Sequence, residues 1–144
     1  MQLKTGERIL AIDFGEKRIG IAVTDPLRMF AQPLITLENN ENFWQRILKI
    51  LSDYEVKLII LGYPLKESGE KTHATEKVEK FFIELTAKTN IEVLYRDERY
   101  SSGIAQQRII ETVKSKMKRR DKSLIDKNAA AVILEDYLNE KIGR

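Results

Sequence analysis

Three runs of apolar residues occupy the first 37 positions, and each has the length of a β-strand. They are RILAIDF (8–14), RIGIAVTD (18–25) and AQPLITL (31–37). The second alternates and is rich in β-branched residues, and the turn-like stretch DPLRM leads into the third. Because only a few residues separate the runs, they are expected to pair as antiparallel hairpins.

From residue 40 the apolar period changes to that of a helix, and helical and strand patterns then alternate. The helices are predicted over 40–55, with Asn40 as N-cap, and over 72–89, 101–114 and 123–140; the strands are VKLIILG (56–62) and IEVLYRDE (91–98). Helical crossovers join parallel strands. The sequence therefore predicts an α/β domain over residues 1–144, with a mixed sheet of three antiparallel and two parallel strands flanked by helices.

The composition excludes several classes of site and partner. With no cysteine and a single histidine, His73, the chain has neither thiolate ligands for zinc nor an imidazole cluster. Any bound metal must therefore be held by oxygen atoms. The apolar runs are too short to span a bilayer, so we expect no membrane partner and a cytoplasmic location.

Acidic residues stand where two of the predicted strands end. Asp13 closes the first strand, and Asp97 and Glu98 close the last one. Aspartate is a poor strand residue and is costly to bury, so these positions suggest either turn capping or chemistry. In open α/β sheets, ligands bind beyond the carboxyl ends of the parallel strands. These acids are therefore expected at one functional edge of the sheet.

A third carboxylate lies at the start of the last helix. Asp126 is in helical phase with the apolar stripe of Ala130, Ile133 and Tyr137. Capping explains an aspartate near a helix start, but not one in line with the apolar stripe beside small alanines. Asp13, Glu98 and Asp126 are therefore predicted to converge.

Three crowded carboxylates repel one another unless a cation lies among them. Oxygen ligands without histidine or cysteine favour Mg²⁺ or Mn²⁺. Such a site suits phosphodiester hydrolysis, in which metals activate water and stabilise the leaving oxygen.

The positive charge is concentrated in the last third of the chain. Residues 99–144 contain 11 Lys and Arg against 6 Asp and Glu, whereas residues 1–98 contain 14 against 16. The segment KSKMKRRDKS (114–123) is predicted as a loop near Asp126 that contacts phosphates, with a solvated surface loop as the alternative. The candidate substrate-binding residues are Lys17, Arg18, Arg99, Lys116, Lys118, Arg119 and Arg120. Arg18 has an alternative role as an ion-pair partner of Asp25 or Glu98.

Four motifs together give a family resemblance over almost the whole chain. AIDFGEKRIGIAVTDPLRMFAQPL, LGYPLKESGE, RDERYSS and IDKNAAAVILEDYL resemble the YqgF (RuvX) family, in order and spacing. The resemblance implies a ribonuclease H-like fold and a metal-dependent endonuclease whose acids correspond to Asp13, Glu98 and Asp126. The family is described as processing the 5′ end of pre-16S rRNA and as a Holliday junction resolvase.

Several alternatives remain open. The substrate is expected to be structured RNA, with a DNA junction as the alternative, and the chain is expected to act as a monomer or a homodimer. An ATPase or sugar kinase of the actin-like superfamily would need a second domain that 144 residues do not supply. A non-catalytic nucleic-acid-binding protein is the other rival. Retention of all three acids argues against it, because negative charge facing phosphate does not help a pure binder.

Overall fold

The computed structural model describes residues 3–98 and 122–142, with only the backbone for 122–127 and 142. Its five strands are β1 (Arg8–Asp13), β2 (Arg18–Thr24), β3 (Ala31–Glu38), β4 (Val56–Tyr63) and β5 (Glu92–Asp97). Its helices are α1 (Phe43–Asp53), α2 (His73–Lys88) and α3 (Lys122–Ile142). The helix predicted over 101–114 lies outside the described residues.

The strands form one sheet in the order β3-β2-β1-β4-β5. The first three pair antiparallel, whereas β4 runs parallel to both β1 and β5. The predicted mixed sheet is therefore confirmed. Since β1, β4 and β5 run parallel, their carboxyl ends lie at the same edge, which is the edge where the sequence places its acids.

The helices cover the two faces of this sheet. Helices α1 and α2 pack on one face, in a core that includes Leu10, Ile12 and Phe81. Helix α3 packs on the other, in a core that includes Ile9, Ala11 and Ala130. Strand β4 is buried on both faces along most of its length, as its apolar sequence predicts. None of the helices in the described part of the chain is long and apolar enough to cross a membrane.

The start of helix α1 differs from the prediction. The N-cap is Asn42 rather than Asn40, and no side-chain hydrogen bond caps the helix. The Asn40 side-chain oxygen instead accepts a hydrogen bond from the Asn42 backbone N–H at 2.9 Å. Asn40 therefore stabilises the turn that precedes the helix.

Candidate active site

Alternation along β1 decides which side of the sheet Asp13 faces. Ile9 and Ala11 pack under α3, whereas Leu10 and Ile12 pack under α1 and α2. Successive side chains of a strand point to opposite faces. Asp13, in phase with Ile9 and Ala11, therefore belongs to the α3 face of the sheet and is half-buried there.

Glu98 directly follows β5, and its side chain approaches Asp13 from the opposite side of β4. A Cβ atom at Gly62 would lie 2.4 Å from the Glu98 Oε1 and 2.8 Å from the Ile133 Cδ1. Ile12 of β1 pairs with Leu61 of β4, so the next position in register sets Asp13 beside Gly62. The missing side chain of Gly62 thus leaves the space in which the Glu98 carboxyl lies.

The carboxyl groups of Asp13 and Glu98 are hydrogen-bonded to each other. Burial raises the pKa of Glu98, and the charge of neighbouring Asp97 raises it further, while the hydrogen bond to Asp13 acts in the opposite direction. The net shift is upward. Burial therefore makes the charged form of Glu98 costly in the absence of a cation.

Asp126 belongs to α3, and the structure describes its backbone. The residues that follow it on the predicted stripe, Ala130 and Ile133, are buried in the core beneath the sheet. Ile133 closely approaches Gly62, and Asp126 lies two helical turns before it. Asp126 is therefore in helical phase with the buried residues Ala130 and Ile133. Its side chain lies outside the described residues, so its convergence with Asp13 and Glu98 stays a prediction.

The predicted basic residues divide between the described and undescribed parts of the chain. Lys17 is exposed in the turn between β1 and β2, and Arg18 begins β2. Gly20 pairs with Asp13, and Arg18 shares its face because it lies two residues away along the strand. Arg18 therefore lies on the same face as the two acids. The other predicted contacts lie outside the described residues: Arg99, Lys116, Lys118, Arg119 and Arg120.

The proposed alternative pairing of Arg18 with Asp25 is wrong. Asp25 lies just beyond the opposite end of β2, about 23 Å away at the usual rise per residue. There its carboxylate accepts hydrogen bonds from the backbone N–H groups of Leu27, Met29 and Phe30. Asp25 shapes the loop between β2 and β3 and takes no part in the site.

Two side-chain contacts hold the turn that follows Asp13. No sequence pattern predicted them. The Asn39 side-chain amide donates to the Gly15 carbonyl at 3.0 Å, and Lys77 of α2 forms an ion pair with Glu16. A Cβ at Gly15 would lie 2.4 Å from the Arg18 carbonyl oxygen, so the turn closes too tightly for any side chain there. These contacts hold the acidic edge in a defined shape.

The donor atoms of the site fit a hard divalent cation. Asp13 and Glu98 supply carboxylate oxygens, the ligands that Mg²⁺ and Mn²⁺ prefer. A cation between them would also offset the cost of placing two negative charges close together. Among the side chains that the structure describes, no group of three or more His, Cys, Asp or Glu is placed to hold a metal. A complete ligand set therefore needs groups from outside that part, such as Asp126 or the substrate.

Sequence comparison identifies the family. The family model described as "RuvX: Holliday junction resolvase" matches residues 7–140. A Salinibacter ruber protein named "Putative pre-16S rRNA nuclease" is 42% identical over 139 residues, covering 95% of this chain and 96% of its own. A Dictyoglomus turgidum protein of the same name is 38% identical over 135 residues, covering 92% and 94%.

Two solved structures share this fold at low sequence identity. Thermus thermophilus RuvC in complex with a Holliday junction substrate superposes with a TM-score of 0.61 at 12% identity, covering 94% of this chain and 96% of its own. The fowlpox virus resolvase bound to junction DNA gives 0.51 at 13% identity, covering 94% and 99%. These likenesses confirm the ribonuclease H-like fold. With a family match along nearly its whole length, the chain belongs to the RuvX family of nucleases.

Proposed function

We propose that this protein is a divalent-metal-dependent endonuclease that trims the 5′ end of pre-16S rRNA. The observation that carries the proposal is the hydrogen-bonded pair of Asp13 and Glu98 at the carboxyl edge of the sheet. A pure binding protein would gain nothing from two carboxyl groups brought together in a half-buried position, where burial makes their charge costly. The names of the relatives supply the substrate.

In the proposed mechanism, Asp13 and Glu98 would hold a divalent cation, with Asp126 as a third ligand. The bound cation would supply activation of the attacking water and neutralisation of the departing oxyanion. Arg18, on the same face as the acids, contacts the phosphate backbone and orients the scissile bond. Arg99 and the basic segment 114–123 extend this contact along the strand, giving affinity that is independent of sequence and sensitive to salt.

Cleavage of a DNA junction is the second candidate, because the matching family model and the fold neighbours are named for that activity. The two activities require different oligomeric states. A four-way junction has two-fold symmetry and calls for two copies of the chain, whereas trimming of one RNA end needs one copy. We propose that the chain acts on RNA as a monomer in the cytoplasm of a bacterial cell.

The test compares both substrates under the same conditions. Labelled pre-16S rRNA and a labelled four-way DNA junction are incubated with the protein in Mg²⁺, Mn²⁺ or EDTA, and the mass of the active species is measured by light scattering. We expect metal-dependent cutting of the RNA by a monomer. Preferred cutting of the junction by a dimer would favour the second candidate. Salt-sensitive binding without cutting of either substrate would favour a non-catalytic role.

A further inference from the structure

A pocket of about 190 Å³ opens beside the acidic edge, on the opposite face of the sheet. Phe14 follows Asp13 directly, so its side chain belongs to the α1 and α2 face while Asp13 belongs to the α3 face. The two Cα atoms are about 3.8 Å apart, the fixed spacing of neighbouring residues. The pocket is therefore adjacent to the candidate active site but separated from it by the end of β1.

Aromatic rings form much of this pocket. Its lining includes Phe14, Phe43, Trp44 and Phe81. The Trp44 and Phe81 rings are stacked, with centroids 5.4 Å apart and planes 17° from parallel, and the Phe14 ring lies 4.7 Å from that of Phe81. Phe43 and Phe81 are buried, whereas Phe14 and Trp44 are only half-buried. The two half-buried rings remain within reach of a ligand.

Polar groups surround the aromatic lining. Lys77, Lys80 and Glu84 line the pocket from α2, and Asn39 lines it from the end of β3. The Lys88 ammonium also contacts Trp44, 5.5 Å from the centroid of its ring, but Lys88 is not part of the pocket lining. Among the described residues of the lining, Glu84 is the one acid, against the two lysines Lys77 and Lys80 of the same helix. This combination suits a flat ring system attached to an anionic chain.

The volume of the pocket, and the contacts that hold its lining in place, restrict the size of the ligand that it can bind. Pockets for drug-sized molecules usually measure 300 Å³ or more, so about 190 Å³ suits a single small ring system. The Glu16–Lys77 ion pair and the Asn39–Gly15 hydrogen bond hold the turn that carries Phe14. Binding there would need little reordering of the protein.

We propose that this pocket binds one unpaired nucleobase of the substrate strand, next to the phosphodiester at Asp13 and Glu98. The proposal rests on the proposed nuclease function, and it adds a substrate requirement to it. The base stacks against Trp44 and Phe14, and Lys80 of α2 contacts the adjoining phosphate. A strand that wraps around the end of β1 in this way must be single-stranded at the pocket. A continuous duplex would leave the pocket empty.

Trp44 is the only tryptophan of the chain, so the intact wild-type protein reports on its own pocket. Its fluorescence is followed while a single-stranded uridine or adenosine oligonucleotide of about eight nucleotides is added in EDTA, which keeps the strand uncut. Binding is measured in parallel by anisotropy of a labelled strand. The comparison strands are an abasic phosphodiester chain of the same length and a fully paired duplex. We expect quenching by the two base-bearing strands and none by the comparison strands.

Two substitutions separate the pocket from general stability. Trp44→Leu keeps an apolar side chain but removes the ring, and it should weaken single-strand binding about tenfold while leaving duplex binding unchanged. Trp44→Phe should restore most of that loss. Ile83→Ala is the matched control, because Ile83 is exposed on α2 and does not line the pocket. Thermal melting of each variant verifies that it is folded.

The outcomes distinguish this proposal from the proposed function. Unchanged emission on saturating binding, equal quenching by the abasic strand, or no binding of single strands would each overturn the base pocket. Metal-dependent cleavage by the same protein would leave the nuclease function standing in all three cases. Base-dependent quenching without any cleavage of RNA or DNA would support the pocket and contradict the nuclease function.

Discussion

Asp13 and Glu98 are hydrogen-bonded to each other although an entire strand, β4, lies between the strands that carry them. Gly62 of β4 makes this possible, because a side chain there would occupy the position of the Glu98 carboxyl. The acidic pair is therefore built by three neighbouring strands. Asp13 ends β1 and Glu98 follows β5, whereas Gly62 of β4 leaves the space in which the Glu98 carboxyl lies.

This relationship predicts that Gly62→Ala disables the site. The new methyl group would displace the Glu98 carboxyl and press on Ile133. We expect cleavage to fall about a hundredfold, as for a catalytic group misplaced by about 1 Å, and stability to fall by about 1–3 kcal/mol from overpacking. The measurements are single-turnover cleavage and urea unfolding.

The double variant Gly62→Ala with Glu98→Asp serves as the control. The shorter side chain withdraws its carboxyl from the crowded position, so part of the lost stability should return. Strictly additive losses of stability in the two single variants and the double would contradict a direct contact between residues 62 and 98.

The raised pKa of Glu98 predicts that a neutral side chain at this position stabilises the metal-free protein. Burial disfavours the charged carboxylate, so the folded state binds more protons than the unfolded state as pH rises above the ordinary value near 4.5. The charge of Glu98 therefore costs stability at neutral pH but not at acidic pH. In EDTA, we expect Glu98→Gln to melt at a higher temperature than wild type at pH 7.

The gap in melting temperature should close as the pH falls toward 4, because wild-type Glu98 is then protonated. Glu67→Gln, at an exposed loop position, provides the comparison for a glutamate that is not buried. A gap that widens on acidification would contradict the assigned direction of the pKa shift.

The ion pair between Glu16 and Lys77 predicts an effect on substrate binding that exceeds its effect on stability. Lys77 lowers the pKa of Glu16, chiefly through their hydrogen bond, so the pair is charged at neutral pH. Exposed pairs of this kind contribute little to folding, because water screens their attraction. Lys77→Gln should therefore barely change the melting temperature but raise KM for cleavage, because the turn after Asp13 loses its link to α2.

The charge-swapped double variant Glu16→Lys with Lys77→Glu tests whether the ion pair affects KM by bracing the turn. If the pair acts by bracing the turn, the swap should recover most of the lost KM. A swap that behaves no better than Lys77→Gln would instead indicate that Lys77 acts through its own contact with the substrate.

The position of Arg18 on the acidic face predicts a specific contribution to the salt dependence of binding. Loss of one phosphate contact should reduce the slope of log K against log salt by about one. We expect this for Arg18→Gln in a binding titration without metal. Lys57→Gln is the matched control, because Lys57 lies at the opposite end of β4 from Gly62. Equal slopes for wild type and Arg18→Gln would place Arg18 outside the interface.

Most of the sheet could be predicted from the sequence, because its signals are local. Short connections fixed the antiparallel hairpins, and the apolar run of β4 indicated a strand buried on both faces. Strand order predicted that Asp13 and Glu98 would lie at the same edge of the sheet. The cap of α1 was misplaced by two residues, because Asn40 and Asn42 are both suitable and only the backbone geometry distinguishes them.

Other features of the site depend on contacts between residues that are far apart in the sequence, and no local sequence pattern predicts them. Gly62 is unremarkable at the end of an apolar strand until Glu98 is seen to occupy its side-chain space. The apolar stripe of α1 includes Trp44 and predicts that it is a core residue. It does pack against the core, but it remains half-buried and lines the pocket beside Phe14. A stripe pattern shows which face of a helix is apolar, not how completely that face is covered.

The cleavage rate of the Asp13→Asn variant tests most directly whether the acidic pair holds the cation that cleavage requires. This substitution preserves size and removes the negative charge that would hold the cation. Rates on pre-16S rRNA are measured in Mg²⁺ and Mn²⁺ beside wild type and beside Asp53→Asn, an exposed aspartate at the end of α1. We predict loss of all metal-dependent cleavage for Asp13→Asn, with single-strand binding retained and Asp53→Asn fully active. Metal-dependent cleavage by Asp13→Asn at the wild-type rate would contradict the account.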